Sequence, residues 1–179
     1  MNPKPFVRLK QPRFLIRPDM PPDLLNFYMA NEGVGLGSSP DRSVRICRLN
    51  EVVRIGWRQL HLLGCEPCEQ WDNFAAFRIG SSSFGDEIVY VLKAPVCTPG
   101  AVLTIGVDVA GPGGSGLAAI EACLVLAVTF PEWLRHLERM GWVEYGLVPG
   151  GILELPEPTQ HELRRYYFSL NPGITWGET

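Results

Sequence analysis

The alternation of apolar and polar residues is clearest between Asn73 and Leu92. Residues Asn73–Ile79 and Glu87–Leu92 read as two apolar strands around a polar turn rich in Gly and Ser. That pattern predicts a central hairpin. Upstream, Val44-Arg45-Ile46-Cys47-Arg48-Leu49 alternates apolar with charged residues, the mark of a half-buried strand. Downstream, Ala101–Val109 predicts another strand, with Leu103, Ile105, Val107 and Val109 on one face. Val102, Thr104, Gly106 and Asp108 share the other face. Leu124–Thr129, apolar and partly β-branched, predicts the last core strand.

Helical periodicity appears on both sides of these strands. Asp19-Met20-Pro21-Pro22-Asp23 is a helix-start signal, and Leu24, Leu25, Phe27, Tyr28 and Met29 continue it to about Asn31. Gly33, Gly35 and Gly37 are expected to end it. Asn50 suits an N-cap, so a helix is expected through about Leu63, with Val52, Val53, Ile55 and Leu60 inward. Phe130–Gly141 is the strongest helix signal, with Thr129 as N-cap, Pro131 and Glu132 in the first turn, and a stripe of Leu134, Leu137 and Met140. Pro158–Leu170 predicts a final amphipathic helix, stopped by Asn171-Pro172-Gly173.

This order of elements predicts an α+β fold: a mixed, mainly antiparallel sheet flanked by helices, in a single domain. A chain of 179 residues suffices for one core. Three segments are expected. Residues 1–18 form a basic, Pro-rich arm with at most one short strand, Arg13–Arg17. Residues 19–153 form the α+β domain, and residues 154–179 a C-terminal helix and tail packed on it. The arm holds Lys4, Arg8, Lys10, Arg13 and Arg17 and no acid, although the whole chain carries a net charge of −3. An acidic body with a basic arm has two readings: ordinary solubility, or an acidic face that steers a basic partner.

The first residues carry cations but no apolar core, so no secretion signal is read there. The longest apolar run, Leu117–Phe130, is short for a membrane span and contains Glu121. Five cysteines, an odd number, argue against a disulfide framework. Together these point to a cytoplasmic protein. Cys47, Cys97 and Cys123 sit in apolar contexts and are expected in the core.

Several motifs resemble chemistry and lack its remaining parts. Gly111-Pro112-Gly113-Gly114-Ser115-Gly116 matches a dinucleotide fingerprint, but the next strand follows too soon for the crossover helix. Cys65-Glu66-Pro67-Cys68 has no second ligand pair for zinc and follows a predicted helix, so it reads as a turn with two reduced cysteines. His161-Glu162-Leu163-Arg164-Arg165 has Arg where a zinc-protease helix needs its second His. His61, His136 and His161 are read as helix-surface residues, and Ser81-Ser82-Ser83 as a turn rather than a nucleophile elbow. No catalytic residue, metal or cofactor is expected, and a small hydrolase or metal enzyme ranks last among the functions.

The residues expected to face a partner are Trp71, Asp72, Asp86, Glu87 and Asp108. Trp71 lies in a polar stretch beside Asp72 and Asn73. Asp86 is expected to cap the hairpin turn and Glu87 to point to solvent, because adjacent strand residues face opposite ways.

The ordered set of motifs resembles the SUKH superfamily, which includes fungal cell-wall-synthesis regulators and bacterial toxin-immunity proteins. Met20-Pro21-Pro22-Asp23-Leu24-Leu25-Asn26-Phe27-Tyr28-Met29-Ala30-Asn31-Glu32-Gly33 is similar to the family's first helix. Ile46-Cys47-Arg48-Leu49-Asn50-Glu51-Val52-Val53, Phe77-Arg78-Ile79-Gly80, Phe84-Gly85-Asp86-Glu87-Ile88 and Val128-Thr129-Phe130-Pro131-Glu132-Trp133-Leu134 resemble its later motifs. The resemblance spans about residues 20–140. Glu32 interrupts the family's Asn-Gly pair, and the tail after Gly141 has no counterpart. The resemblance implies an α+β fold and a non-enzymatic role. That role is an immunity protein that occludes a basic protein toxin, such as a nuclease, without touching nucleic acid or membrane itself. The fungal members imply a regulatory scaffold instead.

Overall fold

The structure, a computed structural model, describes residues 18–31, 35–36, 44–56, 71–81, 86–105, 123–139 and 157–172. Helix α1 spans Pro22–Ala30, with Pro21 as its cap and Asp23 in the first turn. It ends at Asn31, whose backbone N–H and Nδ2 both donate to the Phe27 carbonyl, at 2.9 and 3.0 Å. An Asn side chain therefore closes the helix, ahead of the glycines that the sequence suggested; Gly35 itself opens a strand.

The strands are β1 (Gly35–Leu36), β2 (Val44–Ile46), β3 (Val53–Gly56), β4 (Ala75–Ser81), β5 (Glu87–Lys93), β6 (Val102–Ile105) and β7 (Cys123–Ala127). They form one sheet in the order β1-β2-β4-β5-β6-β7, with β3 also on β4. Every pairing among them is antiparallel. With helices α2 (Phe130–Arg139) and α3 (Glu157–Leu170), this is the expected α+β architecture, a sheet flanked by helices in one domain. The central hairpin is β4–β5, with Phe77 opposite Tyr90.

The helix expected over Asn50–Leu63 is not what residues 49–56 form. Leu49–Glu51 makes a single 3₁₀ turn, and Val53–Gly56 is a strand paired with Ala75–Arg78. The β-branched run Val52-Val53 with Ile55 suits a pleated surface, and the free side of β4 supplies the ladder. The rest of that expected helix, like the Arg13–Arg17 strand, Cys65 and Cys68, and the loop Gly111–Gly116, lies outside the described residues.

Strand alternation sends side chains to two apolar clusters. One unites Leu24 and Tyr28 of α1, Ile46, Phe77, Ile79, Ile88 and Tyr90 of the sheet, Phe130, Trp133 and Leu137 of α2, and Tyr167 of α3. The other gathers Ile55, Trp71, Phe74, Ala76, Val89, Val91, Leu103, Ile105 and Val125. The sheet is thus buried on both faces, and all four residues of β6 are buried. At about 25 cal/mol per Å² of apolar surface, these two layers supply the main drive for folding.

Helix α2 begins as expected, with Glu132 N–H donating to Thr129 Oγ1 at 3.3 Å. Its buried stripe is Phe130, Trp133 and Leu137, while Leu134 is half-buried. Of the expected stripe, Leu137 is buried, Leu134 packs against the first cluster and Met140 lies outside the described residues; Trp133 and Phe130, which packs on Phe27 and Tyr90 at 5.2 and 6.0 Å, widen the buried face. His136 is likewise not a plain surface residue: its ring stands edge-on to Tyr166 of α3 at 4.5 Å. His161, by contrast, is exposed as expected. Cys47 and Cys123 are buried and Cys97 is half-buried. No helix among the described residues is long and apolar enough to cross a membrane.

Candidate functional site

The sheet has a polar recess at the end where β2, β4 and β5 meet. It forms because β2 and β3 lie in succession along one side of β4. Arg45 pairs with Ser81 and Ile46 with Gly80, while Val53 pairs with Arg78. Residues 47–52 leave the ladder between them, after Cys47 N–H donates to the Ile79 carbonyl at 2.8 Å. Six residues of one strand thus loop out opposite Ile79. The 3₁₀ turn in that excursion carries Glu51 back over β4.

Gly80 lets the two strands close up. A Cβ there would stand 2.5 Å from the Arg45 carbonyl oxygen. The β4–β5 register also shifts between Arg78 and Gly80. Such a bulge re-aims the neighbouring side chains.

Two ion pairs line the recess. Arg45 Nη2 donates to Glu51 Oε1 at 2.7 Å. The other oxygen, Glu51 Oε2, accepts from the Arg48 N–H at 2.8 Å. That backbone hydrogen bond, with help from the Arg45 guanidinium, holds the Glu51 carboxyl below its ordinary value. Arg78 Nη1 meets Glu87 Oε1 at 3.3 Å. Arg78 is opposite Val89, so Glu87, two positions back on the same face, is its diagonal neighbour.

The recess measures about 250 Å³ and is lined by these four charged residues with Cys47, Gly80 and Ser81. Two atoms of its lining side chains, Arg78 Nε and Glu87 Oε2, are closed off from solvent and have no hydrogen-bond partner. Unpaired buried charge-bearing atoms are costly. Burial pushes the Cys47 thiol up, against the pull of Arg78. That shift favours the neutral thiol on this wall of the recess. Among the described residues, no group of three His, Cys, Asp or Glu converges as a metal site. What the arrangement supports is charged and hydrogen-bonded binding.

The sequence-derived contact residues fare unevenly. Trp71 is 1% exposed and packs on Phe74 at 5.3 Å in the second cluster, so it is a core residue and not a surface contact. Its polar sequence neighbours misled because the indole turns inward while Asp72 stays exposed. Asp86 is half-buried just before β5. Glu87 is not in open solvent; its side chain is 17% exposed and faces Arg78 in the recess. Asp108 lies outside the described residues. Of the five, only Glu87 joins the recess. Arg45, Glu51 and Arg78 were missed. The available signal was a charge inside an apolar strand, as in Phe77-Arg78-Ile79, followed by Gly80.

Fold and recess together define a small α+β protein with a polar hollow at one end of an antiparallel sheet. No family model, curated protein or solved structure matches this chain.

Proposed function

We propose that this chain is a non-enzymatic protein-binding domain whose contact surface centres on the recess formed by Arg45, Glu51, Arg78 and Glu87. The observation that carries the reading is the pair of buried, unpartnered atoms there, Arg78 Nε and Glu87 Oε2. A docking partner that parts the long Arg78–Glu87 contact supplies their missing hydrogen bonds. Charged pairs of this kind set specificity and association rate. Five of the chain's 16 Lys and Arg and none of its 19 Asp and Glu lie in residues 1–18, so the remainder is acidic, which favours a basic partner. The resemblance to SUKH proteins supports the finer reading: a cytoplasmic immunity protein that occludes a basic protein toxin, such as a nuclease.

Affinity capture at low and moderate salt tests the proposal, using the full chain and its Glu87→Gln variant. The expected result is a basic polypeptide retained by the parent at low salt and at least about tenfold less by the variant. If no polypeptide is retained, or the variant retains it equally, the proposal fails. If the retained polypeptide is a nuclease whose activity the parent chain abolishes, the immunity reading stands. A retained partner with no toxic activity would overturn that finer reading and leave a regulatory scaffold.

A further inference from the structure

We propose that the recess accepts a small zwitterion of the α-amino-acid type, its carboxylate on Arg78 and its ammonium on Glu87. The inference rests on reading this recess as the binding site, though not on the occupant being a protein.

The first argument is charge balance. The lining holds two guanidiniums, Arg45 and Arg78, and two carboxylates, Glu51 and Glu87. A lone anion entering meets both carboxylates, and a lone cation meets both guanidiniums. In a partly desolvated hollow these repulsions are screened less than in bulk water. A ligand of zero net charge that carries both signs avoids them.

The second argument is the atoms left over. Arg78 Nε is a buried donor and Glu87 Oε2 a buried acceptor, each without a partner. Their side chains already touch through Arg78 Nη1 and Glu87 Oε1 at 3.3 Å, which keeps the free donor and acceptor close together. Both atoms are closed off in the resting recess, so one small molecule meets both by parting this long contact. The donor belongs to a cation and the acceptor to an anion. Hydrogen bonds to ionised groups are roughly twice as strong as neutral ones, so a carboxylate and an ammonium suit these atoms better than a neutral amide.

The third argument is size and rigidity. A volume of about 250 Å³ falls below the usual range for drug-sized ligands and suits a single small amino acid. The wall opposite is already set. Glu51 is held by Arg45 and by the Arg48 N–H, so it need not reorganise when the ligand enters.

Thermal unfolding in the presence of single probes tests this. Glycine or L-serine, at tenfold over its dissociation constant, is expected to raise Tm by about 3 °C. Acetate and methylammonium, each carrying half of the zwitterion, are expected to raise it by less than a third of that. The Glu87→Gln variant keeps the shape and loses the anionic acceptor, so it is expected to bind glycine at least about tenfold more weakly. The Arg78→Lys variant removes the Nε–H and is expected to do the same. Circular dichroism reports whether each variant folds; if Arg78→Lys does not, Glu87→Gln alone decides. No shift with either zwitterion would overturn the proposal. So would an equal shift with a singly charged probe, or undiminished binding by Glu87→Gln. If zwitterions fail while capture of a polypeptide still depends on Glu87, this inference falls alone. If zwitterions bind and no polypeptide is captured, the protein-binding reading falls alone.

Discussion

The side-chain amide of Asn171 pairs with both backbone polar groups of Val125. Its Oδ1 accepts from the Val125 N–H at 2.8 Å, and its Nδ2 donates to the Val125 carbonyl at 3.0 Å. Val125 lies in β7, last in the strand order, so these groups belong to the edge of the described sheet. An edge of this kind invites another strand, and here one buried side chain occupies it. Asn171 follows α3 directly and is held by a further bond from Nδ2 to the Tyr167 carbonyl at 3.0 Å. Tyr167 packs into the first apolar cluster and Leu170 against the second. The end of α3 thus straddles the sheet edge, with Asn171 on the edge itself.

Replacing Asn171 with Ala removes both partners of Val125. The expected cost is about 1–3 kcal/mol, because a buried N–H and C=O lose their hydrogen bonds. Urea unfolding measures it. Asn171→Asp keeps the acceptor but turns a buried carboxylate toward the Val125 and Tyr167 carbonyls, so its loss is expected to be at least as large. The opened edge also predicts concentration-dependent association of Asn171→Ala, visible in sedimentation velocity.

Gly80 is the second sensitive position. Gly80→Ala places a methyl group 2.5 Å from the Arg45 carbonyl oxygen, a backbone atom that cannot swing away. β2 must then separate from β4. The expected destabilisation is about 1–3 kcal/mol, as for overpacking elsewhere. Slow amide exchange of Cys47, whose N–H donates to Ile79, is expected to be lost first.

Tyr90 links the central hairpin to α1. Its hydroxyl donates to Asp23 Oδ1 at 2.9 Å. Burial, then this bond to Asp23, pushes the phenol up, so it stays protonated. Tyr90→Phe is expected to cost about 1 kcal/mol. A double-mutant cycle with Asp23→Ala is expected to show a positive coupling of similar size. Additive effects would mean that the bond contributes nothing to stability.

His136 predicts a pH response. Burial against Tyr166 lowers its pKa from the ordinary 6.5, opposed by Glu132 and Glu162 and aided by Arg139 and Arg135. The folded state therefore prefers the neutral ring. That contribution is complete above pH 6.5 and is lost as the pH falls through the lower folded value. Urea midpoints are expected to drop between about pH 7 and pH 5, and to drop less in His136→Phe. An equal drop in both proteins would place the acid sensitivity elsewhere.

Much of the fold was legible in the pattern of residues, because it rests on local rules. The hairpin of β4 and β5 follows from two apolar runs around a Gly/Ser turn, and α2 from Thr129, Pro131 and a periodic apolar stripe. The end of α3 follows from Asn171-Pro172. The error over residues 50–56 has a physical cause. Asn50 and Glu51 do begin a turn, but whether Val52-Val53-Arg54-Ile55 continues as helix or strand depends on whether β4 offers a free side, which lies more than twenty residues away in the chain.

The site was less legible, for the same reason. Trp71 and Asp72 are neighbours in sequence, yet one is in the core and the other at the surface. Arg45, Glu51, Arg78 and Glu87 come from four separate stretches, and only the register of β2, β4 and β5 brings them to one hollow. The amino-acid sequence by itself determined the strands of the hairpin, the Thr129 cap of α2, the main apolar faces and the balance of charge, since each depends on residues within a turn or a strand. The tertiary structure alone decided which charges pair, that Asn171 closes the edge at Val125, and that one atom each of Arg78 and Glu87 stays buried without a partner. Those outcomes depend on strand order and register, which short-range preferences do not encode.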